Sequence, residues 1–408
     1  MSVKNRSIRL LILTVSATAM LLPGASLAQA QAIKKGPAGY AFYTASAKQI
    51  KAGKPGSVIW ARQVKYTANG RVALASASKT MLVLYRSLDL KGKPIAVSGI
   101  IDLPKGKTPK GGFKGISWAH GTTGAADICA PSADFAGGPA DGYITYATAS
   151  YNSWLKAGYA VFRTDYPGLG VKEPPHPYLI GASEGRGVVD IALAAHELYP
   201  TLSKDWVIGG HSQGGQGSLF AASLAPKLAP KLKMKGVFSY APVSHLYEQG
   251  QAISGLGDDF KGLTGLVVMI LNSAIREAGV QPSTLVTPQI EALLPKIEQV
   301  CLAQLGGDDI FGNIAPKDVL KPGVTTASID SVLKAMNPNV KIKAPVLIAQ
   351  GLGDTTVFPS FTAALVAELK TSGDKVTYDT FAGLTHSGVV TDPAASAVVL
   401  DWIKARLR

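Results

Sequence analysis

The pentapeptide Gly210-His211-Ser212-Gln213-Gly214 stands directly behind the apolar run Trp206-Val207-Ile208. A buried-strand run that empties into a serine framed by glycines is the pattern of a sharp strand-to-helix turn. In such a turn the serine takes a strained backbone conformation, and the two glycines leave space where a Cβ would strike the neighbouring strand or helix. The hydroxyl is then held above the edge of a sheet, within reach of a base. Ser212 is therefore the candidate nucleophile, and the chain is constrained to an α/β architecture.

The pentapeptide alone does not decide this, because Gly181-Ala182-Ser183-Glu184-Gly185 matches it too. Ser183 follows Pro174-Pro175-His176-Pro177 instead of a strand, and it opens an apolar stripe at helical spacing: Val188, Ile191, Ala192, Ala195, Leu198. Ser183 reads as a helix N-cap, with Glu184 in the first turn.

A serine hydroxyl barely ionises at neutral pH and needs a base, which in turn needs an acid to orient it. In an α/β-hydrolase these follow in the order Ser, Asp or Glu, His, each at the carboxyl end of a strand. The run Ala344 to Gln350 has buried-strand length, and Asp354 lies at its exit. The alternating segment Lys375 to Phe381 leads into Ala382-Gly383-Leu384-Thr385-His386. Ser212, Asp354 and His386 form the expected triad. Asp379, inside that alternating segment, and Asp392, after the histidine, are the weaker acids. The oxyanion donors expected are the amide of Gln213 and that of Thr122, with Thr123 second, in the loop after Gly115 to Ala119. His120 is expected to brace that loop. His211 reads as a packing and loop-shaping residue pointing away from the serine. Asp165 and Tyr166 follow a strand whose carboxyl end faces the same way, so they are candidates for the mouth of the site, turn formation being the alternative.

Several motifs together carry a resemblance: Tyr85-Arg86-Ser87, Trp118 to Gly124, Cys129-Ala130-Pro131-Ser132, Asp165 to Gly170, His176-Pro177-Tyr178-Leu179 and Gly210 to Gly215. From about residue 60 to the C-terminus, and most weakly between 250 and 340, the chain resembles the secretory lipase family of α/β-hydrolases. The resemblance implies a mostly parallel central sheet flanked by helices, with a helical cap inserted before the acid strand. It also implies carboxylic-ester hydrolysis by Ser212, Asp354 and His386, with no metal and no organic cofactor, and leaves the ester open. A serine peptidase or amidase, or an acyltransferase, would use the same triad. A non-catalytic binding protein is disfavoured, because all three triad positions carry competent residues.

The N-terminus carries Lys4, Arg6 and Arg9, an apolar stretch from Leu10 to Leu22, and small residues at Ser26 and Ala28. This predicts a secretory signal peptide cleaved after Ala28, or alternatively after Ala30. The stretch of 13 residues is shorter than the roughly 20 needed to span a bilayer. Export to the periplasm or the medium follows as the expectation. The formal charge of +14 falls to +11 once the three basic leader residues are lost. The lysines are scattered and not interleaved with aromatics, which argues against nucleic acid and leaves a solvated basic surface with weak adhesion to anionic envelope lipids. An exported chain can keep a disulfide, so Cys129 and Cys301 either pair, tying cap to core, or remain two buried thiols.

The expected organisation is a leader over 1–28, an N-terminal extension over 29–75 without strong periodicity, and a catalytic domain over 76–408. Strands are expected at Met81 to Tyr85, Ile95 to Ile101, Gly115 to Ala119, Tyr159 to Asp165, Trp206 to Gly209, Gly236 to Tyr240, Val346 to Gln350 and Val376 to Phe381. The cap is expected at about 245–340, where Leu263, Leu266, Val267, Ile270 and Leu271 fall at helical spacing. Such a helix is buried or faces a lipophilic substrate. Under the second reading, Leu266 and Ile270 are the substrate-facing candidates.

Overall fold

The computed structural model describes residues 33–65, 72–135, 137–252 and 255–408; the expected leader lies outside them. Nine strands form one sheet in the order β1-β2-β3-β5-β4-β6-β7-β8-β9. They are β1 (Val58–Val64), β2 (Ala77–Leu88), β3 (Pro94–Pro104), β4 (Gly115–Ala119), β5 (Ala160–Thr164), β6 (Asp205–His211), β7 (Lys233–Tyr240), β8 (Val346–Gly351) and β9 (Val376–Phe381). The first three are antiparallel to their neighbours, and β4 to β9 run parallel. The α-helices are α1 (Ala47–Lys51), α2 (Thr148–Lys156), α3 (Gly181–Leu198), α4 (Gln213–Leu228), α5 (Leu246–Ala252), α6 (Thr264–Ala278), α7 (Pro288–Leu293), α8 (Leu302–Leu305), α9 (Asp330–Ala335), α10 (Pro359–Thr371), α11 (Gly388–Thr391) and α12 (Pro393–Arg406).

The central strands β4, β5 and β6 are buried along almost their whole length because helices cover both faces. Along β4, Ser117 Oγ donates to Val188 O of α3 at 2.7 Å, while Ile116 and Trp118 enter the opposite layer with Tyr151 and Trp154 of α2. The first layer packs Val188, Ile191, Leu219 and Leu365 from α3, α4 and α10 against the sheet. The second adds Val399 and Ile403 from α12. Every parallel strand thus points its carboxyl end at one rim, and ligand sites in such sheets lie there.

Between β7 and β8 the described chain forms α5 to α9 and short 3-10 turns. This insertion has a core of its own, in which Val268, Met269, Leu271 and Ile275 of α6 meet Ile290, Phe311 and Leu333. Cys129, after β4, is disulfide-bonded to Cys301, before α8, with Cα atoms 5.5 Å apart.

One strand lies where no strand was expected. Val58–Val64 pairs with β2 inside the stretch read as an extension. Its apolar run is only four residues, Val58 to Ala61, behind the Pro55-Gly56 turn; burial is supplied by distant residues, Phe42 and Tyr43, which pack against Trp60 and Leu84.

Candidate active site

Strand β6 ends at His211 and α4 starts at Gln213, so Ser212 alone makes the turn, at φ 58° and ψ −119°. That conformation is rare for a residue with a side chain. It is held by Ser212 N donating to Tyr240 O at 2.9 Å. A Cβ on Gly210 would lie 2.0 Å from Gly214 O, and one on Gly214 2.0 Å from Ala119 O, so the turn seats directly against β4. Gln213 is the first residue of α4, and its amide has no intrahelical acceptor.

Asp354 lies three residues beyond β8, with its side chain fully buried. Its Oδ1 accepts from the amides of Thr356 and Val357 at 2.8 and 2.9 Å, and Oδ2 from Gln350 Nε2 at 3.1 Å. Oδ2 also receives His386 Nδ1 at 2.7 Å. That bond leaves Nε2 as the free face of the imidazole. Ser212 and His386 open on one cavity of about 610 Å³. Gly121, Thr122 and Tyr146 form part of its wall, and Leu263, Leu266 and Leu302 of the insertion face it from the other side. Asp379 pairs within the sheet opposite Ala349, and Asp392 caps α12 through Ala394 and Ala395 amides, so neither competes for the histidine.

Further polar groups support this arrangement from behind. His211 lines the same cavity, contrary to the expectation that its ring points away from the serine. Its Nε2 donates to the backbone carbonyl of His386 at 3.0 Å, Nδ1 accepts from Tyr146 Oη at 2.7 Å, and its ring packs 4.5 Å from that of His386. Burial, then the adjacent His386, hold its pKa well below the ordinary histidine value, so it is neutral. Tyr146 comes from a single 3-10 turn, Thr145–Ala147, that leads into α2 and carries no motif, so nothing in the sequence singles it out. His120 braces its loop as expected: Nδ1 donates to Gly121 O at 2.7 Å, and burial lowers its pKa to about 4.

The residue after the nucleophile is anchored by the second Gly-x-Ser-x-Gly sequence. Gln213 Nε2 donates to Glu184 Oε1 at 2.8 Å and to His176 Nε2 at 2.9 Å, while His176 Nδ1 donates to Pro167 O. Glu184 Oε1 also accepts from Leu179 N at 2.7 Å. Burial pushes Glu184 up to about 8, opposed by these hydrogen bonds. Ser183 is not the N-cap: Ile180 holds that position, and Ser183 lies buried in the first turn. No side chain caps α3; Glu184 instead ties the helix to the residue before its N-cap, Leu179.

Three other expectations are corrected. Asp165 does not reach the mouth: it is fully buried and accepts from Ser132 N at 2.9 Å and Ser98 Oγ at 2.6 Å, tying the Cys129 loop to β3. Tyr166 is equally buried, its hydroxyl donating to His120 O at 2.8 Å. Ile270 packs into the insertion core and is not among the cavity-lining residues, whereas Leu266, one turn earlier, is. Thr123 is fully buried behind Thr122, whose own hydroxyl is 2.7 Å from Tyr178 Oη.

Residues 142–408 match the family model described as secretory lipase. The chain belongs to the secretory lipase family. This secretory lipase is 25% identical over 401 residues to Lipase 6 of Candida albicans, covering 90% of this chain and 80% of that protein. Its fold is that of the esterase LipA from Xanthomonas oryzae, with a TM-score of 0.72 at 19% identity over 87% of this chain and 100% of that one. Candida antarctica lipase A in its closed state superposes with a TM-score of 0.69 at 19% identity, covering 84% of this chain and 80% of that chain. The secretory lipase is thus an α/β-hydrolase and a carboxylic ester hydrolase of the lipase or esterase type. Among its described residues no helix is long and apolar enough to cross a membrane.

Proposed function

We propose that the chain is an exported serine hydrolase that cleaves lipophilic carboxylic esters through an acyl-enzyme on Ser212. The observation that carries this reading is His386, 2.7 Å from the buried Asp354 and opening on the same cavity as the strained Ser212. His386 Nε2 takes the proton of Ser212 as Oγ attacks the ester carbonyl, and Asp354 stabilises the imidazolium. The amides of Gln213 and Thr122 hold the oxyanion, where preorganised donors contribute most. His386 returns the proton to the departing alcohol, and water then releases the acid by the same route. Leucines 263, 266 and 302 on the far wall favour an acyl chain over a charged peptide. The basic, apolar leader and the family's secretory character support export, to the periplasm or beyond.

The test is hydrolysis of p-nitrophenyl esters from acetyl to palmitoyl, alongside a triacylglycerol emulsion, by the purified protein and by Ser212→Ala. Turnover of long acyl chains and emulsion, lost in the variant, is expected of a lipase; turnover confined to short chains is that of an esterase. Hydrolysis that survives Ser212→Ala overturns the mechanism.

A further inference from the structure

Lysines accumulate where the parallel strands begin. Lys114 precedes β4, Lys204 precedes β6, Lys231, Lys233 and Lys235 surround the start of β7, Lys341 and Lys343 precede β8, and Lys375 precedes β9. Backbone hydrogen bonds set these segments side by side. Ala160 N donates to Lys114 O at 3.0 Å, Lys233 N to Lys204 O at 2.8 Å, and Val346 N to Lys375 O at 2.9 Å. With strands about 4.8 Å apart, the row from β5 to β9 extends roughly 25 Å. Residues scattered along the chain are thereby gathered on one edge. Two carboxylates answer them: Asp205 to Lys235 and Asp374 to Lys341. Lys204, Lys231, Lys233, Lys343 and Lys375 are exposed, and none of them forms an ion pair among the described residues.

In the middle of this row lies a depression of about 380 Å³, lined by Ala225, Pro226, Ala229, Pro230, Leu232 and Met234 together with Lys233 and Lys343. We propose that this edge is a docking surface for an anionic lipid bilayer. The ammonium groups meet headgroup phosphates, and the depression receives an apolar segment of lipid. A single-stranded nucleic-acid site would set aromatic rings among its cations for base stacking; here Trp206, the one aromatic at the depression, is fully buried. A purely polyanionic partner would have no use for the apolar floor. The catalytic cavity is built at the opposite ends of the same strands, so a docked molecule keeps its mouth open to esters arriving through water.

The test is co-sedimentation of the purified protein with vesicles of phosphatidylcholine alone or with one-third phosphatidylglycerol, at low and high salt. Binding is expected only to the anionic vesicles and is lost in high salt, as screening requires. The fourfold variant Lys204→Glu/Lys233→Glu/Lys343→Glu/Lys375→Glu is expected to lose about tenfold or more in partitioning while keeping soluble-ester turnover. A control with the same charge change elsewhere, Lys48→Glu/Lys51→Glu/Lys54→Glu/Lys296→Glu, is expected to keep binding. If the fourfold variant does not fold, the pairs Lys204→Glu/Lys233→Glu and Lys343→Glu/Lys375→Glu carry the same comparison. Equal losses in the edge variants and the control, or tighter retention on heparin than on anionic vesicles at matched salt, overturn the proposal.

Discussion

Ser212 sits in a backbone conformation that costs of order 1–3 kcal/mol and persists only because its surroundings impose it. Gly210 is part of that imposition. With 2.0 Å between an added Cβ and Gly214 O, Gly210→Ala must displace the turn, and kcat is expected to fall by about a hundredfold or more, as for other misplacements near 1 Å. Unfolding in urea would show the accompanying loss of stability. His211 acts through its neighbour: its Nε2–H fixes the His386 carbonyl. His211→Phe keeps a ring but removes this bond and the one from Tyr146, each of about 1 kcal/mol, so steady-state kinetics should show a several-fold drop in kcat with KM nearly unchanged. Glu184 gives a pH signature. Its pKa is raised from 4.5 to about 8 by burial, so in that window the native state holds a proton that the unfolded chain has released, and its contribution to stability fades as pH rises. Glu184→Gln keeps an acceptor for Leu179 N and removes the titration. Thermal melts at pH 9 should place the variant above the parent, with the gap closing towards pH 4; parallel curves would remove Glu184 as the cause.

At the level of elements, α6 separates two roles that sequence periodicity merges. Leu266 and Ile270 are one turn apart and equally apolar, yet only Leu266 is among the residues lining the cavity; Ile270 packs into the insertion core. Leu266→Ser is therefore expected to reduce long-chain ester turnover more than short-chain turnover at little cost in stability. Ile270→Ser should lower the melting temperature and affect both esters alike. A chain-length panel with melting curves distinguishes the two. Elements with the clearest pattern were also the most legible. Gly115–Ala119 and Val376–Phe381 were expected at their observed bounds, the first a short run broken only by Ser117 and the second an alternation. β1 was not, because its burial depends on Phe42 and Tyr43 folding across it. Ser183 differs for a related reason: its sequence suits an N-cap, but α3 already begins at Gly181 with Ile180 as N-cap, which places Ser183 inside the buried first turn.

On the scale of the whole molecule, the Cys129–Cys301 bridge joins the loop after β4 to the insertion across 172 residues of sequence. Closing so long a loop restricts the unfolded chain, and bridges of this kind contribute about 2–5 kcal/mol. Cys129→Ser/Cys301→Ser should melt several degrees lower, with the loss visible in calorimetry under non-reducing conditions. Should the double variant melt with the parent, the bridge does not set global stability. Sequence reasoning left the pairing open, since two cysteines so far apart carry no local sign of proximity.

The strand-to-helix turn at Ser212, the order of acid and histidine behind it and the alternation of strands and helices are legible from the chain alone, because each is written in contiguous residues whose periodicity and sterics act locally. Packing in three dimensions settles the rest: Asp165 and Tyr166 are buried away from the cavity, His211 and Tyr146 line it, Glu184 anchors Gln213, and dispersed lysines form one edge. Those outcomes depend on which side chains meet after distant segments pack, and no local pattern encodes that meeting.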